Sequence, residues 1–189
     1  MRHTNLVGVP DANVLVPVVL CDLLLTASVD RELFRLVVSD RILDEVERNL
    51  IEKFQHLDPA ALTRRVEQTR RATGSADVTG WEQLEPTMPV NAKDRHVFAV
   101  AVRHEADLVV TSDRRFATEI AASGHSIIAV TPDELATMLL SADLDAFHGV
   151  IDAMAAKRRQ PPATSATIIG QLAAYCPNTV AALQHEPRG

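Results

Sequence analysis

Short apolar segments alternate with segments of helical periodicity along most of this chain, and this alternation restricts the fold more than any other feature. The apolar runs predict strands at residues 5–10, 36–38, 106–113 and 126–130. Helices are expected at residues 16–29, 41–54, 59–74, 94–104 and 132–157, with a further helix or turn before Gly124. Residues 75–92 read as a connecting segment with room for one more short strand. Alternating strands and helices predict an α/β fold, with a mostly parallel sheet flanked by helices on both faces.

Composition supports this fold class and restricts the setting of the protein. Of the 189 residues 47% are apolar but only 4% are aromatic, so the core must consist mainly of Val, Leu, Ile and Ala. No apolar run approaches the ~20 residues that cross a bilayer, and the N-terminus lacks a signal-peptide pattern. We therefore expect a cytoplasmic protein without a membrane segment, in which Cys21 and Cys176 are ordinary reduced cysteines.

Four acidic residues fall at junctions between the predicted elements. Asp11 follows the first predicted strand and Asp113 follows the third. Asp94 opens the helix that leads into the third strand, and Glu45 lies early in the helix after the second strand. Sites in parallel sheets form outside the carboxyl ends of the strands, where the strand order reverses. Each acid alone could be a helix cap, but their recurrence at these junctions predicts that all four face one edge of the sheet.

Carboxylates held close together repel one another unless a cation balances them. Oxygen ligands without His or Cys suit Mg²⁺ or Mn²⁺ rather than zinc, and such ions commonly serve phosphodiester chemistry. The net charge of −6 argues against a broad basic surface for nucleic acid, but acids that surround a divalent ion would be locally offset. The charge therefore does not exclude a phosphate-bearing substrate.

At these acids the sequence resembles the PIN-domain nucleases. The matching stretches are "DANVLV", "SDRILDEVERNL", "KDRHVFAVAVRHEADLVVTSDRRF" and "IIAVTPDEL", which together span about residues 5–137. The resemblance implies a Mg²⁺- or Mn²⁺-dependent ribonuclease whose catalytic and metal-binding residues are Asp11, Glu45, Asp94 and Asp113. Asn13 and Ser112 would be the polar helpers beside them.

The resemblance also implies partners and a division of the chain. Many bacterial proteins with this layout look like VapC-type toxins, so we expect an RNA substrate, a cognate antitoxin of a type II module and a homodimer. Residues 1–137 would form the PIN-like nuclease domain, and residues 138–189 a helical C-terminal extension split near Cys176-Pro177.

The chain departs from the family pattern at two places near the acids. Relatives often carry Asp-Pro where this chain has Asn91-Ala92, and a further acid where it has Arg114-Arg115. These departures leave open whether one or two metal ions bind. The two arginines are candidate contacts to the RNA backbone.

Helical periodicity places Glu45 away from the apolar stripe of its helix, so the motif alone selects it. His96 is expected to point away from Asp94 and to be a packed or surface histidine. Two other functions stay open: a housekeeping RNA-processing nuclease and a non-catalytic PIN scaffold that binds RNA or protein. The residues argue against a third class, the phosphoryl-transfer proteins. Haloacid-dehalogenase-like phosphatases need an Asp where this chain has Asn13, and response-regulator receivers need an acid pair and a lysine that it lacks.

Overall fold

The computed structural model describes residues 6–185, in which four strands form one parallel sheet. Their bounds are β1 Val7–Pro10, β2 Arg35–Leu36, β3 Leu108–Val110 and β4 Ile128–Val130. The order across the sheet is β2-β1-β3-β4, and every neighbouring pair is parallel. The predicted fold class is confirmed.

The strand order reverses between β1 and β3. From β1 the chain passes to β2 on one side of the sheet and then returns to β3 on the other side. Leu108, Val109 and Val110 are all buried, and since successive side chains point to opposite faces, both faces of β3 are covered. The carboxyl ends of β1 and β3 therefore meet beside a covered sheet, where parallel folds place their binding sites.

The helical region after β1 is more broken than the sequence predicts. A single helix is expected at residues 16–29, but the structure has a short helix α1, Ala12–Leu15, then α2, Val18–Leu25, and a π-helical turn at Thr26–Asp30. Pro17 separates the helices because proline has no backbone N–H to continue the first of them. Arg65 donates hydrogen bonds to the carbonyl oxygens of Leu15 and Val16 at 2.8 and 3.1 Å. Its guanidinium group therefore satisfies two backbone carbonyl groups at the C-terminal end of α1.

The next two helices each begin after a residue whose side chain caps the helix. Helix α3, Asp40–Lys53, begins after Ser39, whose Oγ accepts a hydrogen bond from the backbone N–H of Ile42. Helix α4, Pro59–Thr73, begins after Asp58 and ends at Gly74, whose φ of 63° is the left-handed conformation that favours glycine. Both predicted helices are confirmed.

Residues 75–92 contain no strand, which corrects the expectation of one more short strand there. Two 3₁₀ turns occur instead, at Ser75–Asp77 and Glu85–Thr87. Pro86 and Pro89 remove two backbone donors that a strand in this segment would need. The chain then continues through α5, Arg95–Arg103, and after β3 through α6, Arg114–Ala122.

The helix expected at residues 132–157 is two helices, α7 Pro132–Ala142 and α8 Leu144–Lys157. Asp143 separates them because its extended backbone ends α7 while its side chain accepts a hydrogen bond from the N–H of Ala146 and caps α8. The last two helices of the described residues are α9, Ser165–Leu172, and α10, Pro177–His185, which are divided at Cys176-Pro177 as expected.

The last helices share their core with the sheet. Ile168, Leu172 and Leu183 are buried in the same hydrophobic cluster as the strand residues. Lys157 contacts Asp30, and Arg158 donates a hydrogen bond to Asp22 at 2.9 Å, so two ion pairs also hold the end of α8 to the first half of the chain. The division into a domain at 1–137 and an extension at 138–189 stays a prediction, and its boundary lies inside α7. Every helix within residues 6–185 is too short or too polar to span a bilayer.

Candidate active site at the strand ends

Asp11 lies directly after β1 and is buried. Its Oδ2 accepts two hydrogen bonds, from Asn13 Nδ2 at 2.6 Å and from Thr111 Oγ1 at 2.8 Å. The Thr111 bond crosses from the end of β3 to the end of β1, so it fixes the carboxylate at the point where the strand order reverses. Asp11 directly precedes α1, but its side chain makes no capping hydrogen bond to the backbone of that helix.

Burial raises the pKa of Asp11 above its ordinary value. The hydrogen bond from Thr111 opposes this rise, and the nearby negative charge of Glu45 adds to it. Asp11 thus holds a charge that is costly to keep in its surroundings. A cation at this position would lower that cost.

Asp94 stands just before α5 and is also buried, with 7% of its surface exposed. Burial, with a smaller contribution from the negative charges of Asp11 and Asp113, raises its pKa to about 6 against the opposing effect of Lys93. The charges of Asp11 and Asp113 therefore act on Asp94 at this end of the sheet.

The two carboxylate oxygens of Asp113 have different hydrogen-bond partners. Oδ1 accepts hydrogen bonds from the backbone N–H groups of Arg115 and Phe116 at 2.9 and 3.1 Å, which caps α6. Oδ2 accepts a hydrogen bond from Lys93 Nζ at 3.0 Å. The Lys93 hydrogen bond and the two backbone bonds lower the pKa of Asp113. One aspartate is thus both a helix cap and a member of the acidic group.

Glu45 reaches the same region from α3. Its Oε2 lies 3.1 Å from Nε2 of His96, which is buried on α5, and this contact lowers the pKa of Glu45. The two atoms are close enough for an ion pair, although His96 Nε2 lacks the alignment of a full hydrogen bond. His96 is a packed histidine, as expected, but it also positions the one acid that periodicity could not place.

Thr111 is a residue that the sequence analysis missed. Ser112, the hydroxyl residue predicted to help the acids, is exposed, whereas its neighbour Thr111 is buried and contacts Asp11. Thr111 Oγ1 also accepts a hydrogen bond from the backbone N–H of Asp113 at 3.0 Å. One threonine hydroxyl therefore links two of the acids. The signal available in the sequence was its place at the end of an apolar run.

The two predicted RNA contacts lie at the rim of this site. Arg114 and Arg115 begin α6 and are exposed, but Arg115 Nε donates a hydrogen bond to Glu119 Oε1 at 2.9 Å. Glu119, a second missed residue, also accepts a hydrogen bond from the backbone N–H of Asn91 at 2.7 Å and adds to the negative charge felt by Asp94.

Lys93 is the third missed residue. Its ammonium lies 3.0 Å from Asp113 Oδ2 and 3.7 Å from Asp94 Oδ2, between two of the predicted metal ligands. A cation that directly precedes a candidate ligand in sequence was the available signal. Lys93 lies outside a helix, so helical periodicity could not predict which residues its side chain contacts.

The donor chemistry of these side chains fits a hard divalent cation. Carboxylate oxygens without His or Cys ligands are what Mg²⁺ and Mn²⁺ prefer, and the ammonium of Lys93 shows that a positive charge is held between Asp94 and Asp113. Within residues 6–185, however, no three His, Cys, Asp or Glu side chains are already grouped closely enough to hold a metal ion. Metal binding here would therefore require side-chain movement, including displacement of the Lys93 ammonium from between Asp94 and Asp113.

Comparison with known proteins identifies a family for this arrangement. A family model described as "PIN domain" matches residues 9–115, which is more than half of the chain and includes Asp11, Glu45, Asp94 and Asp113. A protein of Mycobacterium tuberculosis (strain ATCC 25618 / H37Rv) named "Putative ribonuclease VapC50" is 30% identical over 102 residues, which are 54% of this chain and 60% of the relative. The match thus spans less than two thirds of that relative. No solved structure matches the chain significantly.

The raised pKa of Asp94 predicts how stability depends on pH. Because this pKa is higher in the folded than in the unfolded chain, ionised Asp94 destabilises the fold, and the loss develops as the pH rises from about 4 to about 6. We expect Asp94→Asn to raise the free energy of unfolding at pH 7.5 by about 1–3 kcal/mol in EDTA, with a much smaller gain at pH 4.5. Urea unfolding at both pH values measures the difference.

The matched control is Asp145→Asn, which changes an exposed aspartate in the first turn of α8. It should give no stabilisation that grows with pH. Equal stability of Asp94→Asn and the wild type at pH 7.5 would show that Asp94 carries no electrostatic strain.

Proposed function

Because this chain belongs to the PIN-domain family, we propose that it is a metal-dependent endoribonuclease that hydrolyses RNA phosphodiester bonds. Mg²⁺ or Mn²⁺ would be held by Asp11, Asp94 and Asp113, with Glu45 as the fourth acid. The observation that carries this proposal is the set of contacts that joins three acids where the strand order reverses. The Thr111 hydroxyl links Asp11 to Asp113, and the Lys93 ammonium contacts both Asp113 and Asp94. The relative named as a ribonuclease supports RNA as the substrate.

The chemistry follows from what each side chain is positioned to do. A divalent ion supplies Lewis-acid stabilisation of phosphoryl oxygens and activates water for attack. Thr111 and Asn13 orient the Asp11 carboxylate, and the N-terminal amides of α6 fix Oδ1 of Asp113 so that Oδ2 stays directed into the site. Preorganised charges of this kind cost little reorganisation during the reaction.

Glu45 and the two arginines complete the proposed machinery. The contact with His96 lowers the pKa of Glu45 against the rise that burial would cause. Arg114 and Arg115 stand at the start of α6, where exposed guanidinium groups would hold the RNA backbone in place. Such contacts position the strand but do not read its sequence.

The biological role that we propose is the toxin of a type II toxin–antitoxin module in the cytoplasm, acting as a homodimer with a cognate antitoxin. The similarity to a VapC-named protein supports this role, over the 60% of that relative which the match covers. A housekeeping RNA-processing enzyme would use the same site, so chemistry in vitro does not separate the two.

A non-catalytic scaffold that binds RNA or protein is the second candidate. The observation in its favour is that no three potential ligands in the described part of the chain are already grouped around one point, while Lys93 occupies the space between Asp94 and Asp113. A scaffold would keep this ion pair and would not need a metal.

Cleavage of RNA by purified protein separates these candidates. Wild-type protein should cut single-stranded RNA in Mg²⁺ or Mn²⁺ and not in EDTA. Asp94→Asn should remain folded by circular dichroism but lose about 10²- to 10³-fold in rate, since it removes a ligand worth several kcal/mol in the transition state. Asp145→Asn, the remote exposed control, should cut at the wild-type rate. Wild-type rates in Asp94→Asn would rule out the proposed site.

Expression in bacteria tests the toxin role with the same proteins. The wild type expressed alone should arrest growth, a co-expressed antitoxin from the neighbouring gene should restore it, and Asp94→Asn should be harmless. Normal growth with an enzyme that is active in vitro would favour housekeeping RNA processing instead. Colony counts and sequencing of cleaved RNA ends give the readout.

A further inference from the structure

The side chain of Lys93 forms ion pairs with two residues of the acidic group, Asp94 and Asp113. Among the described residues it is the only Lys or Arg that forms an ion pair with Asp94 or Asp113, at 3.7 and 3.0 Å. Its charge also acts on Asp11 and Glu45. One ammonium therefore interacts with all four acids, as a divalent ion in the same place would.

We propose that Lys93 is a tethered counter-ion that competes with the divalent metal for Asp94 and Asp113, and so sets the metal concentration at which the site becomes loaded. This inference rests on the proposed function, because it assigns Lys93 a role at the same metal site. The ammonium contacts both carboxylates, so an incoming ion would have to replace it there.

The surroundings of Lys93 allow it to leave without disturbing the fold. Its side chain is 59% exposed, on a flexible stem, and it precedes α5 rather than lying within it. The carboxylate of Asp113 stays fixed when Lys93 departs, because its Oδ1 is held by two backbone N–H groups of α6. Asp11 is likewise held by Thr111 and Asn13, so two ligands remain in position for an incoming ion.

Competition of this kind has a predictable size. An exposed ion pair contributes little net free energy, so its loss should tighten metal binding by roughly three- to fivefold rather than by orders of magnitude. The same loss leaves the acids without their counter-ion when metal is absent. The two effects have opposite signs, which a side chain that only packs against the site would not produce.

The test compares Lys93→Met with the wild type by isothermal titration with Mn²⁺ alone. We expect Mn²⁺ to bind Lys93→Met roughly three- to fivefold more tightly, and we expect a lower midpoint of thermal unfolding in EDTA that Mn²⁺ restores. Lys93→Arg keeps the charge and should bind Mn²⁺ about as weakly as the wild type. Lys93→Gln gives a second neutral variant in case the methionine variant folds poorly.

Lys53→Met is the matched control, because Lys53 lies at the end of α3 over the ring of Phe54 and forms no ion pair with the acids. It should leave Mn²⁺ affinity unchanged. Binding to Lys93→Met and Lys93→Gln that is equal to or weaker than wild type would overturn the inference while leaving the proposed function intact. If neither the wild type nor any variant binds Mn²⁺, the proposed metal-dependent function is wrong and the inference about Lys93 is wrong with it.

Discussion

Repulsion among carboxylates at the carboxyl ends of β1 and β3 is the constraint on which the rest of the structure depends. Burial and neighbouring negative charges raise the pKa values of Asp11 and Asp94, so the fold keeps these groups together at a cost to its own stability. Carboxylates that served only as caps or turn residues would gain nothing from this proximity. The cost is understandable if a cation resides among them for part of the working cycle.

The surrounding elements reduce that cost without removing the charge. Thr111 links Asp11 to the backbone of Asp113, so the ends of two neighbouring strands carry one hydrogen-bonded unit. The N-terminus of α6 stabilises Asp113 through two amides and its favourable dipole. Lys93 provides the remaining balance through an exposed and displaceable ammonium.

Much of this arrangement follows from the sequence for identifiable reasons. Asp11 and Asp113 could be placed because each directly follows an apolar strand, and parallel strands end at a common edge. The broken helix at Pro17 and the division at Asp143 were harder, since both lie inside apolar stretches whose periodicity continues across the break.

Side-chain contacts between elements were not predictable. Whether Thr111 or Ser112 faces Asp11 depends on the residue at which β3 ends. The approach of Glu45 to His96 depends on how α3 packs against α5, which periodicity within one helix does not specify. The contacts of Lys93 depend on the rotamer of a long side chain, and that rotamer depends on where the folded chain places Asp94 and Asp113.

The central proposal is that these carboxylates together bind a divalent cation. Anomalous scattering from a crystal grown with Mn²⁺ tests this proposal most directly. We predict an Mn²⁺ peak in direct coordination with Asp11, Asp94 and Asp113, with the Lys93 ammonium moved away from both of its present partners. At saturating Mn²⁺, the absence of a peak at these carboxylates, or a peak elsewhere in a protein that still cuts RNA, would contradict the account.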